Sequence, residues 1–335
     1  MKVAEIQAPG IENLVIAERP TPEAGPGQVL VAMRAFSLNY RDLRVVEGTY
    51  NPKMKLPLVP LSDGAGEVVA VGTGVSRVNV GDRVAGSFMQ AWIEGELDDR
   101  KYQTALGGAI NGVAAEQCVF DESGLVRIPD YLSFEEAATL PCAAVTAWNA
   151  MFETGSLKPG ATLLTLGTGG VSVFALQFAR MASAKVILTS SSDAKIERAR
   201  EQGAAETINY VTIPDWEKRV RELTEGRGVD QIIEVGGAGT LPKSMRAVRT
   251  AGTISLIGLL AQGADINPIL ILMRHLRVQG IYVGSRTMFE NMLKAMALSR
   301  LTPVIDRVFP FADLAEAMRY MQQAKHFGKI CLTVR

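Results

Sequence analysis

The run Leu163-Leu-Thr-Leu166, Gly167-Thr-Gly169-Gly170-Val-Ser172 and then the helical pattern Val173 to Arg180 constrains this chain more than any other feature. Strand, glycine turn and helix follow one another in the order that a dinucleotide-binding fold requires. Glycines let the backbone turn tightly and approach a pyrophosphate, whose charge the free N–H groups of a helix N-terminus stabilise. The candidate contacts are Gly167, Thr168, Gly169, Gly170 and Val171, while Ser172 departs mildly from the usual third small residue. A plain tight turn is the competing reading. The alternation of elements around the turn weighs against it. No G-x-x-x-x-G-K-[ST] run is present, so a P-loop phosphotransferase is not supported.

That alternation predicts strands over 161–166, 185–189, 206–209, 230–235 and 253–257, with helices such as 171–181 and 193–202 between them. A parallel sheet covered by helices on both faces follows. Before residue 127 the texture is different. Short β-type runs at 14–17, 29–33, 67–71, 114–120 and 125–128 are punctuated by glycine and proline, which suggests a barrel-like domain. A helix is expected over 40–46, followed by a Pro- and Gly-rich stretch at 48–66. Ser133-Phe-Glu-Glu136 has capping-box spacing and opens a helix that breaks or restarts at Pro141. The tail continues through 289–298, 304–309 and 314–323 to an apolar strand at 329–334, and periodicity assigns it to neither domain.

With 335 residues, 47% of them hydrophobic, the chain has material for two cores. Lys+Arg and Asp+Glu both total 35, so no net positive field exists to hold nucleic acid or an anionic membrane surface. Cys118, Cys142 and Cys331 form neither an even set nor a C-x-x-C pair, which fits reduced thiols in a cytoplasmic setting. The N-terminus lacks a signal-peptide pattern, and no run approaches the roughly 20 apolar residues that span a bilayer.

The choice between nicotinamide cofactors falls on the end of the second predicted strand, where an acid would bind a ribose 2′-hydroxyl. Here the chain reads Thr189-Ser190-Ser191-Ser192, with Lys195 and Arg198 nearby. Hydroxyls and a cation suit a 2′-phosphate, so NADP(H) is favoured over NAD(H). Asp193 is the counter-indication, although an acid in the first turn of a helix is also ordinary.

With these residues goes an ordered set of motifs: Pro26-Gly-Gln-Val-Leu-Val31, Asn39-x-x-Asp42, Gly48-Thr-Tyr50, Gly64-Ala-Gly-Glu-Val68, Gly81-Asp-Arg-Val84, Ala137-Ala-Thr-Leu-Pro141 and Gly328-Lys-Ile330. Over essentially its whole length the chain resembles the medium-chain dehydrogenase/reductase superfamily, and within it the zinc-less quinone oxidoreductase-like branch. The resemblance implies an α/β fold: a GroES-like, β-rich catalytic domain formed by 1–127 and 284–335, around a Rossmann doubly wound parallel sheet at 128–283. Zinc relatives carry a cysteine where this chain has Asn39 and Gly-His-Glu where it has Leu61-Ser62-Asp63; only Cys142 matches a ligand position. Arg41 stands where the family has its Ser/Thr proton relay. The resemblance therefore implies no zinc. It also implies that Tyr50 lies near the substrate, that Thr146 contacts the cofactor, and that Lys195 and Tyr210 meet the 2′-phosphate.

Without a metal, hydrogen-bond donors must polarise a carbonyl, and Asn39, Tyr40, Arg41 and Tyr50 are the available ones. Blander roles compete for several residues. Asn39 and Asp42 are spaced to tie down a loop through backbone hydrogen bonds, and Tyr40 to pack its ring. Cys142, beside Pro141, reads as a small buried hydrophobe. The acidic segment 94–99 reads as a solvated loop, or as a lid beside Trp92. No Tyr-x-x-x-Lys pair is present, which removes the short-chain dehydrogenase mechanism.

The expected activity is NADPH-dependent, zinc-independent reduction of quinones, enones or aldehydes. The alternatives are a zinc-less alcohol dehydrogenase, an enoyl-thioester reductase and a non-catalytic NADP(H)-binding protein. A homodimer formed through the β-rich stretch 277–283 is expected, with a small-molecule substrate and no nucleic-acid or membrane partner.

Overall fold

A computed structural model of the chain describes residues 1–51, 53–155, 157–258, 260 and 266–334. It divides into two units, one formed by Met1–Val145 with Gly284–Arg335 and the other by Thr146–Val283.

In the first unit, β1 (Lys2–Ile6) and β2 (Leu14–Glu18) form an antiparallel pair. The main sheet begins with β3 (Gln28–Ser37), β4 (Asp63–Val71), β5 (Arg83–Gly86), β6 (Gln117–Asp121) and β7 (Leu125–Arg127). Two of these strands are longer than periodicity suggests, for identifiable reasons. Exposed Arg34 interrupts the apolar run of β3, and Gly64 and Gly66 give the start of β4 the look of a loop. Gly66 is required there: a Cβ would lie 2.2 Å from the Ala32 carbonyl oxygen on the paired strand. Conversely, the run expected at 114–120 joins the sheet only from Gln117, because Ala115 bridges to Val3.

The second unit holds six parallel strands: β8 (Thr162–Leu166), β9 (Lys185–Ser190), β10 (Glu206–Asn209), β11 (Val229–Glu234), β12 (Val248–Leu256) and β13 (Arg277–Gly280). Their spatial order is β10-β9-β8-β11-β12-β13, a doubly wound sheet whose order reverses between β8 and β11. Buried Leu164, Ile187, Ile232 and Ile254 supply its centre, as expected for strands covered on both faces. The helices Gly170–Met181 and Asp193–Glu201 follow β8 and β9.

The tail then returns to the first unit as β14 (Ile305–Pro310) and β15 (Lys329–Thr333), completing the order β14-β15-β3-β4-β5-β7, with β6 also paired to β3. Register resolves what periodicity left open, since Cys331 pairs Ser37 and Leu332 pairs Phe36. The helix Phe134–Ala138 carries the expected capping box at Ser133 and Glu136 and passes into the π-helical turn Leu140–Ala144 around Pro141. Among the described residues no helix is long and apolar enough to cross a membrane.

Candidate active site and nucleotide-binding end

In the first unit, four segments far apart in sequence bring a buried polar cluster together. Asn39 precedes the helix Tyr40–Val46, Ser62 and Asp63 stand at the start of β4, Cys142 lies in the π-helical turn, and Lys329 opens β15. Lys329 is only 3% exposed, and its Nζ donates to the Leu38 carbonyl and to Asn39 Oδ1, both at 2.6 Å. Asn39 Nδ2 lies 3.5 Å from Ser62 Oγ, and Ser62 Oγ donates to Asp63 Oδ1 at 2.7 Å. The other Asp63 oxygen accepts from the Cys142 backbone N–H. Burial raises the Asp63 carboxyl above its ordinary value, against the pull of the Lys329 charge. The Cys142 thiol is pushed far up, first by burial and then by Asp63.

Asp42 is the loop-tying residue, since its Oδ2 accepts from the Asn39 backbone N–H at 2.8 Å. Asn39 and Asp42 form a capping box at the start of the helix, and Asn39 Oδ1 also accepts from Lys329 Nζ. Burial pushes Asp42 up to about 6, although Arg41 pulls it down. Arg41 Nη1 donates to the Leu106 carbonyl at 2.8 Å and to Asp42 Oδ1 at 3.2 Å. Its guanidinium carbon also lies about 5 Å from the ring centroids of Tyr50 (5.0 Å) and Phe88 (5.1 Å). Tyr50 is half-buried and packs against the hydrophobic core, whereas Tyr40 is nearly half exposed.

Segment 94–99 is solvated, as expected, but is tied down at its base. Trp92 is buried, its indole N–H donates to Gly95, and the Trp92 and Ile93 carbonyls accept from Arg286 and Thr287. Lys101 Nζ reaches back to the Glu94 carbonyl. These bonds favour the solvated-loop reading over the lid.

In the second unit, Gly167 sits at φ +73°, and added Cβ atoms at Gly167 and Gly169 would meet nothing within 4 Å. The turn therefore leaves open space in front of the N-terminus of a 12-residue helix. Thr168 is buried and Val171 half-buried. Ser172 is buried too, and its hydroxyl donates to the Leu166 carbonyl at 2.7 Å, which accounts for its departure from Gly or Ala. Thr146 is buried at the beginning of the unit.

At the end of β9, Ser190 is buried and its Oγ accepts from Ser192 N–H at 3.3 Å, while Ser191 is exposed. Ser192 Oγ caps the next helix by accepting from Lys195 N–H. Lys195 is half-buried, and Tyr210 is 41% exposed with its N–H bonded to the Ser190 carbonyl. Asp193 accepts from Asn209 Nδ2 at 2.7 Å, so this acid already has a neutral partner.

Sequence reasoning missed two groups. Lys329 was visible only as the polar first residue of an apolar strand, although the Gly328-Lys-Ile330 motif contains it. Buried Glu234 ends β11, and its Oε1 accepts from the backbone N–H of Gly236 and Gly237 and from Thr240 Oγ1, fixing the loop next to the point where strand order reverses. A single acid after an apolar run carries no such signal. Among the described residues, no group of three or more His, Cys, Asp or Glu is arranged to hold a metal ion.

Comparison with known proteins agrees with this architecture. The family model for the alcohol dehydrogenase GroES-like domain matches residues 25–130, and that for zinc-binding dehydrogenase matches residues 170–298. The chain is 44% identical over 333 residues to a zinc-type alcohol dehydrogenase-like protein of Schizosaccharomyces pombe, covering 97% of this chain and 96% of the relative. A Sinorhizobium meliloti structure described as an alcohol dehydrogenase superposes with a TM-score of 0.93 at 40% identity, covering 99% of this chain and 98% of the other. Another, described as an NAD-dependent alcohol dehydrogenase, gives a TM-score of 0.92 at 34% identity, with 100% of each chain covered. With its GroES-like and Rossmann parts and its glycine turn, the chain is an oxidoreductase that belongs to the medium-chain dehydrogenase/reductase superfamily.

Proposed function

We propose that this oxidoreductase reduces quinones, enones or aldehydes with NADPH and works without zinc. The observation that carries the reading is the buried Lys329–Asn39–Ser62–Asp63 cluster at the positions where zinc relatives hold their metal. Zinc needs three protein ligands drawn from thiolate, imidazole and carboxylate. Here the matching positions offer an amide, a hydroxyl and a thiol held protonated by burial, and an ammonium group already bonds the amide. A dication does not fit this set.

Polarisation of a carbonyl then rests on neutral donors aimed at an oxygen that gains negative charge. Asn39 is the leading donor, with the Tyr40 and Tyr50 hydroxyls beside it in sequence. Beside these neutral donors Arg41 completes the set, its Nη1 held by Asp42 and the Leu106 carbonyl and its guanidinium about 5 Å from the Tyr50 and Phe88 ring centroids. The bound nicotinamide cofactor supplies the hydride. For that cofactor, Gly167 to Val171 would hold the pyrophosphate and Thr146 would contribute a contact. Ser190, Ser191, Lys195 and Tyr210 would meet the 2′-phosphate, with exposed Ser191 the readier hydroxyl donor. The Asp193–Asn209 bond supports NADPH over NADH even though a close structural relative is described as NAD-dependent. A homodimer through the β13 edge and a reducing, cytoplasmic setting for the three cysteines complete the reading.

The test is cofactor oxidation by the purified protein with a quinone, an enone and an aldehyde, each with NADPH and with NADH. Turnover of at least one carbonyl with NADPH preferred is expected. Tight NADPH binding with no turnover of any of them would overturn the reading in favour of a binding protein, and oxidation of secondary alcohols alone would favour an alcohol dehydrogenase.

A further inference from the structure

We infer that Glu234 supplies the negative charge that offsets the positively charged ring of the oxidised cofactor, and so favours hydride transfer from the reduced cofactor to the substrate. This rests on the nicotinamide-dependent reduction proposed above and adds a residue that sets its direction. A buried carboxylate ordinarily has a cation beside it. Glu5 has Arg19 at 2.5 Å and Glu217 has Arg246 at 3.4 Å. Glu234 is 0% exposed, and among the described residues it forms no ion pair. Its partners are neutral. Oε1 accepts from Gly236 N–H at 2.8 Å, Gly237 N–H at 3.1 Å and Thr240 Oγ1 at 2.5 Å, and Oε2 accepts from Ser244 Oγ. Both oxygens act as acceptors, as in a carboxylate, yet none of the four donors brings a net charge.

The strand order gives this charge its place. Ser190 ends β9 and Tyr210 follows β10, so the proposed 2′-phosphate contacts lie on the β9–β10 half of the sheet, and the glycine turn proposed for the pyrophosphate follows β8. A dinucleotide laid across the reversal of strand order has its other half over the strands beyond it. Glu234 is the last residue of β11, the first strand past that reversal. Oxidised and reduced cofactor differ in charge only at the nicotinamide ring, so a buried anion in this half distinguishes them where a phosphate contact does not. Transfer of a hydride, with both its electrons, to the substrate carbon leaves one positive charge on that ring, and the reduced substrate takes its proton from water. Glu234 stabilises the charge as it develops.

Glu234→Gln removes the charge and keeps the shape, because the Ser244 hydroxyl can turn to accept from the new amide. Glu234→Asp keeps the charge and shortens the reach to the loop. Calorimetric dissociation constants for NADP+ and NADPH on the wild type and both variants give the ratio that matters. The wild type is expected to hold NADP+ at least as tightly as NADPH. The Gln variant is expected to shift the ratio toward NADPH by about fivefold or more, as loss of a charge in a poorly screened site requires. The Asp variant is expected to keep the wild-type ratio even where both affinities fall. Equal weakening of both cofactors in the Gln variant, the mark of a purely structural Glu234, would overturn the inference. So would a wild type that holds NADPH the more tightly, a measurement that depends on no variant.

The two readings fail separately. A wild type that reduces no carbonyl would count against the proposed function, while the binding ratio, taken without substrate, would still decide the role of Glu234. Should NADH prove the better cofactor, the same ratio is read with NAD+ and NADH.

Discussion

Asp42 is a fully buried carboxyl beside the polar cluster. It faces Arg41, Lys329 and Asp63, and burial outweighs the pull of the two cations, pushing it up to about 6. The folded protein therefore keeps this proton to a higher pH than the unfolded chain, whose value is 3.8. The contribution of Asp42 to stability is most favourable below the unfolded value and is lost as pH rises through the folded one. The loss is on the order of 3 kcal/mol. Urea unfolding of wild type and Asp42→Asn across that range should show the wild type losing ground to the variant as pH rises; parallel curves would mean that Asp42 keeps an ordinary carboxyl. Lys195 carries a second expectation at this scale. Its half-buried position next to the Ser190 to Ser192 turn suits a 2′-phosphate, so Lys195→Ala should cut the preference for NADPH over NADH about tenfold, in line with about 1.5 kcal/mol or more for a charge-assisted hydrogen bond. Equilibrium binding of both cofactors measures it, and equal weakening of both would remove Lys195 from that role.

At the scale of elements, the start of β4 shows how backbone packing sets a side chain. Leu61 is fully buried at φ +69°, a conformation costly for a leucine, and the next two residues are Ser62 and Asp63. Segment 107–113 holds the turn in place: Gly112 N–H donates to the Val59 carbonyl, Val113 N–H donates to the Leu61 carbonyl, and a Cβ on Gly112 would lie 2.0 Å from Leu61 O. Gly112→Ala should cost about 1–3 kcal/mol and lower kcat while leaving NADPH affinity intact, as thermal unfolding and steady-state kinetics would measure. Nothing in the sequence marks this contact, because Gly112 and Leu61 are remote and a glycine in a loop has many uses. The Rossmann strands were far more legible, since an apolar run, a turn and a helix are local features. The glycine turn and the helix at Tyr40–Val46 were legible for the same reason. The polar cluster was half legible: Asn39 and Asp42 sit in one motif, but Lys329 meets Asn39 only through the pairing of β15 with β3, and long-range register leaves no trace in periodicity.

At the scale of the whole molecule, the edge of the parallel sheet bears on assembly. β13 ends the parallel sheet, and the short helix Ile269–Met273 before it leaves Leu272 75% and Met273 73% exposed. An open strand edge beside exposed apolar side chains is suited to pairing with a second copy. Sedimentation velocity should find a dimer that the combined change Leu272→Glu and Met273→Glu converts to monomer with NADPH binding retained; a wild type that stays monomeric at every concentration would rule the interface out. Whether an ammonium-centred polar cluster stands in place of a metal is decided by measuring metal content and single-turnover hydride transfer on the same preparation before and after exhaustive chelation. Less than a tenth of a zinc per chain with an unchanged hydride-transfer rate is the expected result. One tightly held zinc per chain, with the rate lost on its removal and restored by its return, would contradict it.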